Sequence, residues 1–223
     1  RIFSTTFFQH PSGGLRDGLI HAVYGGIYGK DHDPIHEPQH KWTGPDLMPV
    51  LAHLGAAAPC GLERYQSRVF GPEFENNLFA CLFNMHKVTR HVLEPAGASF
   101  QSRDEDFLVS SNFDFHPTDV LEDADGSLIV VDTGGWYKLC CPTSQLHKPD
   151  VLGAIYRVRR SGTPKMDRPR GWKDMSKHIA DLIPKLADAR PAVRDRAMLE
   201  LARHEDAAVP ALQKRLIRLA RQH

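Results

Sequence analysis

"PTDVLEDADGSLIVVDTGG", Pro117–Gly135, is the stretch whose reading decides the fold. It reads as strand, turn, strand, with Asp125–Gly126 as a strong hairpin signal at its centre. Upstream, "LERYQSRVFGPEFENNLFACLFNMHKVTRHVLEP" supplies three strand candidates, around Leu62–Tyr65, Asn77–Phe83 and Lys87–Leu93. The last alternates well: Val88, Arg90 and Val92 take one face, and Thr89, His91 and Leu93 the other. "FLVSSN", 107–112, is a short apolar run, and "LGAIYRVRR", 152–160, is a further alternating strand. Short strands every 8–12 residues with Gly and Asp turns predict an all-β sandwich, barrel or propeller. Residues 1–59 look different. "RDGLIHAVYGGIYG" reads as a short helix ended by Gly25–Gly26 or as an irregular segment, and "GKDHDPIHEPQHKWTGPD" as a long polar loop.

With 223 residues, the chain can bury a sizeable core. A hydrophobic fraction of 41% and a charged fraction of 25% are those of an ordinary globular protein. The formal net charge of +1 gives no bulk electrostatic case for nucleic acid or an anionic membrane. No apolar run approaches the roughly 18 residues of a membrane helix. The opening "RIFSTTFFQHPSGG" lies in mid-pattern without an initiator Met, so we read the chain as a piece of a longer protein. There is no C-x-x-C-H, hence no covalent haem motif in this chain.

Beyond "RSGTPKMDRPRG", 160–171, a basic linker, the period changes to that of helices. Ile179, Leu182, Ile183 and Leu186 mark one helix, Val193, Ala197 and Leu201 a second with Pro191 in its first turn, and Leu212, Leu216 and Leu219 a third. "LADARPAVRDRAMLELARH" resembles a HEAT-type repeat. The expected division is therefore a β region over 1–160 with a long N-terminal loop region, a linker over 161–173 and a HEAT-like helical segment over 174–223.

"FHPTDVLEDADGSLIVVDTGGWY…GAIYRVRR" has the form of a propeller blade, and "APCGLERYQSRVFGPEFENNLFACLFNMHKVTRHVL" looks like the blade before it. Together they resemble the C-terminal blades of glucose/sorbosone dehydrogenase-type propellers. The nearer resemblance is to the bacterial membrane-bound dehydrogenase propellers of planctomycete and verrucomicrobial type. It rests mainly on "STTFFQHPSGGLRDGLIHAVYGGIYGKDHD" and "GGWYKLCCPTSQLHKPDVLGAIYRVRR". The resemblance implies an all-β propeller fragment followed by a small all-α HEAT-like segment. It also implies oxidation of a carbohydrate or small alcohol, pyrroloquinoline quinone (PQQ) and calcium as cofactors of the parent protein, and a c-type cytochrome domain as electron partner. The implied location is periplasmic or otherwise exported.

Within that frame His116 is the candidate general base, since a histidine titrates near working pH, with Asp132 or Asp119 to orient it. The alternative is a His–Asp hydrogen bond that staples adjacent strands. Trp136 and Tyr137 either stack on a sugar or cofactor or pack between blades. Cys140 and Cys141 form either a vicinal disulfide, a flat platform like that set against a quinone in a larger quinoprotein class, or two thiols, or pairs with Cys60 and Cys81. In "DHDPIHEPQH", Pro34 and Pro38 forbid the regular helix that would align His32, His36 and His40, which favours a solvated loop over a metal site. "DADG", 123–126, reads as a hairpin turn rather than half a calcium loop. The competing functional class is a non-catalytic propeller that binds carbohydrate or protein.

Overall fold

A computed structural model describes residues 1–30, 44, 46–135, 148–162 and 178–221, with the backbone alone at 5–7. They fall into two compact units. One comprises Arg1–Tyr65, Asn76–Leu121 and Ile129–Arg157, and the other Gln66–Glu75, Glu122–Leu128 and Val158–His223.

Three sheets carry the β region. The first has the order β1 (Ile2–Gln9), β2 (Leu15–His21), β3 (Ala52–Gly55). The second runs β4 (Pro59–Arg64), β5 (Leu78–Leu82), β6 (Lys87–Ala96), β7 (Ser99–Val109), and the third β8 (Pro117–Glu122), β9 (Leu128–Asp132), β10 (Ala154–Val158). Each strand pairs with its neighbour in sequence, and the pairs of the first two sheets are antiparallel. This up-and-down order is that of propeller blades. The three sheets remain separate, so the chain is an all-β propeller fragment followed by a small all-α segment.

The N-terminal segment departs from its sequence reading. Residues 15–21, read as helix or irregular, form β2, and two further strands flank it. The buried run Asp17–Ile20 explains why: both faces of this central strand are covered, so the period of two is lost. The chain just after β3 is held to β2, where Oδ2 of Asp17 accepts the backbone N–H groups of Ala57 and Ala58, each at 2.8 Å.

β5 is buried along its whole length. It lies between β4 and β6, and its Ala80 and Leu82 join Leu19, Ala52, Leu54 and Ala57 in one apolar cluster that ties the first sheet to the second. β7 is the long strand that the sequence hid. Its Arg103, Asp104, Glu105 and Asp106 break any apolar alternation, as suits an outermost strand whose charges deter pairing with another chain.

The hairpin between β8 and β9 forms as read. Asp123 N–H donates to Ser127 O and Gly126 N–H to Asp123 O, both at 2.8 Å, and Gly126 takes the φ of +79° that the turn requires. Beyond β9 the backbone is clasped on itself: Gly135 N–H donates to Val151 O at 3.1 Å and Lys148 N–H to Gly135 O at 2.6 Å.

The second unit contains α1 (Ile179–Lys185), α2 (Pro191–Ala202) and α3 (Val209–Ala220). Leu182, Leu201 and Ala208 form its core, with Ile179, Ile183, Leu186 and Leu212 against them. Leu216 and Leu219 of the predicted third stripe remain exposed. The turn between α1 and α2 is fixed by the Asp188 carboxylate, which accepts from Arg190 Nε at 2.8 Å and Nη2 at 2.9 Å. These bonds hold the Asp188 carboxyl below its ordinary value. Ser67 Oγ and Arg68 N–H both donate to Ala189 O, which binds the 66–75 loop to the same turn.

Candidate functional site

His116 lies just before β8 and is buried. Its Nδ1 faces two carbonyl oxygens, Asp114 O at 3.1 Å and Gly134 O at 3.0 Å, so that nitrogen carries the proton. The Phe83 ring centroid is 4.7 Å from it and that of His86 5.2 Å. The structure brings Asp132 to His116, but through the backbone: Asp132 Oδ1 accepts the N–H groups of His116 and Gly134, each at 2.9 Å. The carboxylate therefore fixes the turn out of β9.

Asp119 is engaged elsewhere. Its Oδ1 accepts the Val120 N–H at 2.9 Å, and its Cα sits where a Cβ on Gly61 would come within 2.6 Å. Cys60 and Cys81, on the neighbouring strands, are free thiols. Burial, then the Asp119 charge, raises the pKa of Cys60; burial, then Cys60 and Asp119, raises that of Cys81. Both sulfurs are thus kept as protonated thiols. Trp136, Tyr137, Cys140 and Cys141, like the acidic and histidine residues of 31–40, lie outside the described residues.

A second His–Asp pair escaped the sequence reading. His91, fully buried on β6, places Nδ1 2.7 Å from Asp104 Oδ1 and Nε2 2.8 Å from Thr89 Oγ1. His91 and Asp104 are direct partners in the β6–β7 register. The signal was available only once β7 was known to be a strand. With both ring nitrogens engaged inside the sheet, this trio joins two strands.

One cavity in the first unit, of about 530 Å³, is lined by β1 and its turn, the chain before β3 and β3 itself, including His10, Asp46, Met48 and His53. Local hydrogen bonds hold its walls. Gln9 N–H donates to Gly29 O at 2.8 Å and Met48 N–H to Ile27 O at 2.7 Å. Asp46 Oδ1 accepts the Leu47 N–H at 2.7 Å. The cavity contains two imidazoles in edge-to-face contact, His10 and His53, with ring centroids 4.5 Å apart. Ser12 N–H donates to His10 Nδ1 at 3.1 Å, which places the proton of a neutral His10 on Nε2. His53 is open to solvent on one side, yet its pKa lies below the ordinary 6.5. Partial burial is the first cause, followed by the charges of His10 and Arg16. Burial disfavours the charged ring, and so does positive charge at its neighbours. The pair thus combines a ring presenting an N–H with a ring held neutral and able to accept. Neither residue stood out in the sequence. They are far apart along the chain and meet because β2 pairs with both β1 and β3.

Comparison with known proteins places residues 28–162 within a family described as "Domain of unknown function (DUF7133)". Among solved structures, the chain is similar to an oxidoreductase described as a glucose dehydrogenase from Thermus thermophilus. The identity is 16% and the TM-score 0.43, covering 69% of this chain and 40% of that one. Two further structures, each described as glucose dehydrogenase, are 18% and 19% identical. Their TM-scores are 0.39 and 0.40, covering 68% of this chain and 42% and 43% of theirs. The chain thus spans less than half the length of these solved proteins. A search of curated proteins finds no match.

Proposed function

The chain belongs to the DUF7133 family, and we propose that it is part of a propeller that oxidises a carbohydrate or related alcohol. The observation that carries the reading is the cavity of about 530 Å³ holding the His10–His53 pair. Oxidising an alcohol requires a group that takes the hydroxyl proton, and a neutral imidazole suits that role. His53 is that group, and His10 holds the hydroxyl-bearing carbon chain in place.

The same reading gives the parent protein PQQ with calcium as its redox group, a c-type cytochrome as its electron partner and an extracytoplasmic location. Among the described residues no three His, Cys, Asp or Glu side chains cluster to hold a metal ion. The steps assigned to the described part of this chain are binding and proton acceptance. No helix among the described residues is long and apolar enough to cross a membrane.

The test is dye-linked oxidation of sugars and polyols by the intact chain with added PQQ and calcium. Substrate-dependent dye reduction is the expected outcome. Saturable polysaccharide binding without dye reduction would instead assign the chain to the non-catalytic, carbohydrate-binding class.

A further inference from the structure

We propose that the His10–His53 pair is a recognition site for adjacent hydroxyl groups, His10 donating to one oxygen and His53 accepting from the next. This deepens the carbohydrate reading and rests on it for the choice of a hydroxylated ligand; the division of labour between the rings rests on the Ser12 N–H at His10 Nδ1 and on the lowered pKa of His53.

Three observations carry it. First, the Ser12 N–H occupies His10 Nδ1, so the hydrogen of a neutral His10 is on Nε2, and the ring lines the cavity as a donor. The same bond argues against a metal ion on this ring, because a metal-bound histidine normally donates through its other nitrogen rather than accepting there. Second, the rings stand 4.5 Å apart at 68°, close enough for their edges to address hydroxyls on neighbouring carbons rather than two distant points of a ligand. A vicinal diol offers the matching pattern, since each hydroxyl is both acceptor and donor. Third, charged groups of both signs lie around the pair. Asp46 lines the cavity, while Arg16 acts on His53 from β2. With one group of each sign near it, the pair carries no single charge that would select an anion or a cation. Met48, Pro49 and Val50 offer the apolar wall against which the C–H face of such a ligand can lie.

The arrangement carries a pH dependence with a definite sign. His53 accepts a hydrogen bond only while neutral. Because its pKa is depressed, it stays neutral at pH values where an ordinary histidine would be half protonated. Binding is therefore full near neutrality and fades only as the pH falls through the lowered value.

The experiment titrates the intact chain with erythritol, which carries adjacent hydroxyls, and with 1,4-butanediol, which has the same number of carbons and none adjacent. Binding is followed through the imidazole NMR signals of His10 and His53. Erythritol should shift both signals saturably, and butanediol should bind about tenfold more weakly, the effect of one hydrogen bond lost. His10→Ala should weaken erythritol about tenfold and His10→Gln, which restores an N–H donor, should recover most of the loss. His53→Gln, which offers an acceptor that does not titrate, should bind erythritol with an affinity that no longer falls at acid pH. Equal binding of the two diols, no binding of erythritol, or unchanged affinity in His10→Ala each overturns the proposal. Diol selectivity without dye reduction in any condition would uphold the site and end the oxidoreductase reading. Dye reduction with unchanged kinetics in both histidine variants would do the reverse.

Discussion

Asp132 distinguishes a structural carboxylate from a catalytic one, and two substitutions suffice to decide. Its Oδ1 accepts two backbone N–H groups, from His116 and Gly134, both at 2.9 Å, and the residue is buried. Asp132→Ala removes the acceptor and leaves two N–H groups without their partner. Hydrogen bonds to a charged acceptor contribute about 1.5–3 kcal/mol each, so the expected loss is about 3–5 kcal/mol. For a chain of this size each kcal/mol is worth roughly 2–4 °C in Tm, so the melting point should fall by at least about 6 °C. Asp132→Asn retains an oxygen at the same position and should cost about 1 kcal/mol, the difference between a charged and a neutral acceptor. The assay is urea unfolding of the intact chain followed by tryptophan fluorescence, with thermal melts in parallel. If Ala and Asn are equally damaging, or if Ala is within about 0.5 kcal/mol of the natural chain, the backbone-holding role is refuted.

Three further predictions concern the rest of the fold. Although burial pushes the Asp104 carboxyl up, hydrogen bonds from His91 and Ser102 prevail and hold it below its ordinary value. A depressed carboxyl stabilises the fold above the unfolded-state value of about 4 and loses that contribution as the pH falls through the folded value. Urea midpoints compared at pH 5 and pH 2 should accordingly drop less in Asp104→Asn than in the natural chain. Gly61→Ala drives a Cβ to within 2.6 Å of Asp119 Cα and 2.9 Å of Val120 N, so it should cost about 1–3 kcal/mol in the same unfolding assay. Leu182→Ala empties the centre of the helical core and should cost about 2–5 kcal/mol, read as lost helical circular dichroism at lower urea.

The sequence made the hairpin legible because the Asp-Gly turn and its flanking strands agree with one another at short range. The same holds for β5, β6 and β10 and for the faces of α1 and α2, where Leu182, Val193, Ala197 and Leu201 are buried as their spacing predicts. Elements whose signal is set by the neighbours rather than by the segment were not legible. β2 is covered on both faces, so alternation vanished, and β7 is an outer strand whose polar face dominates its composition. His116 and Asp132, read together from the sequence as a base and its orienting carboxylate, meet through the backbone of His116. Which atoms meet is a matter of turn geometry, and the carboxylate went to the backbone. The His10–His53 pair is legible only in three dimensions, because its register is fixed by strand pairing across β2 and not by any spacing along the chain.

The clasp after β9 has a consequence for engineering. Gly135 O and Lys148 N are 2.6 Å apart, and Gly135 N is 3.1 Å from Val151 O, so residues 135 and 148 are held together by their own backbone. Gly134 sets the approach: its φ is +62°, and a Cβ there would come within 2.6 Å of Val151 O, so a side chain at 134 would push the clasp open.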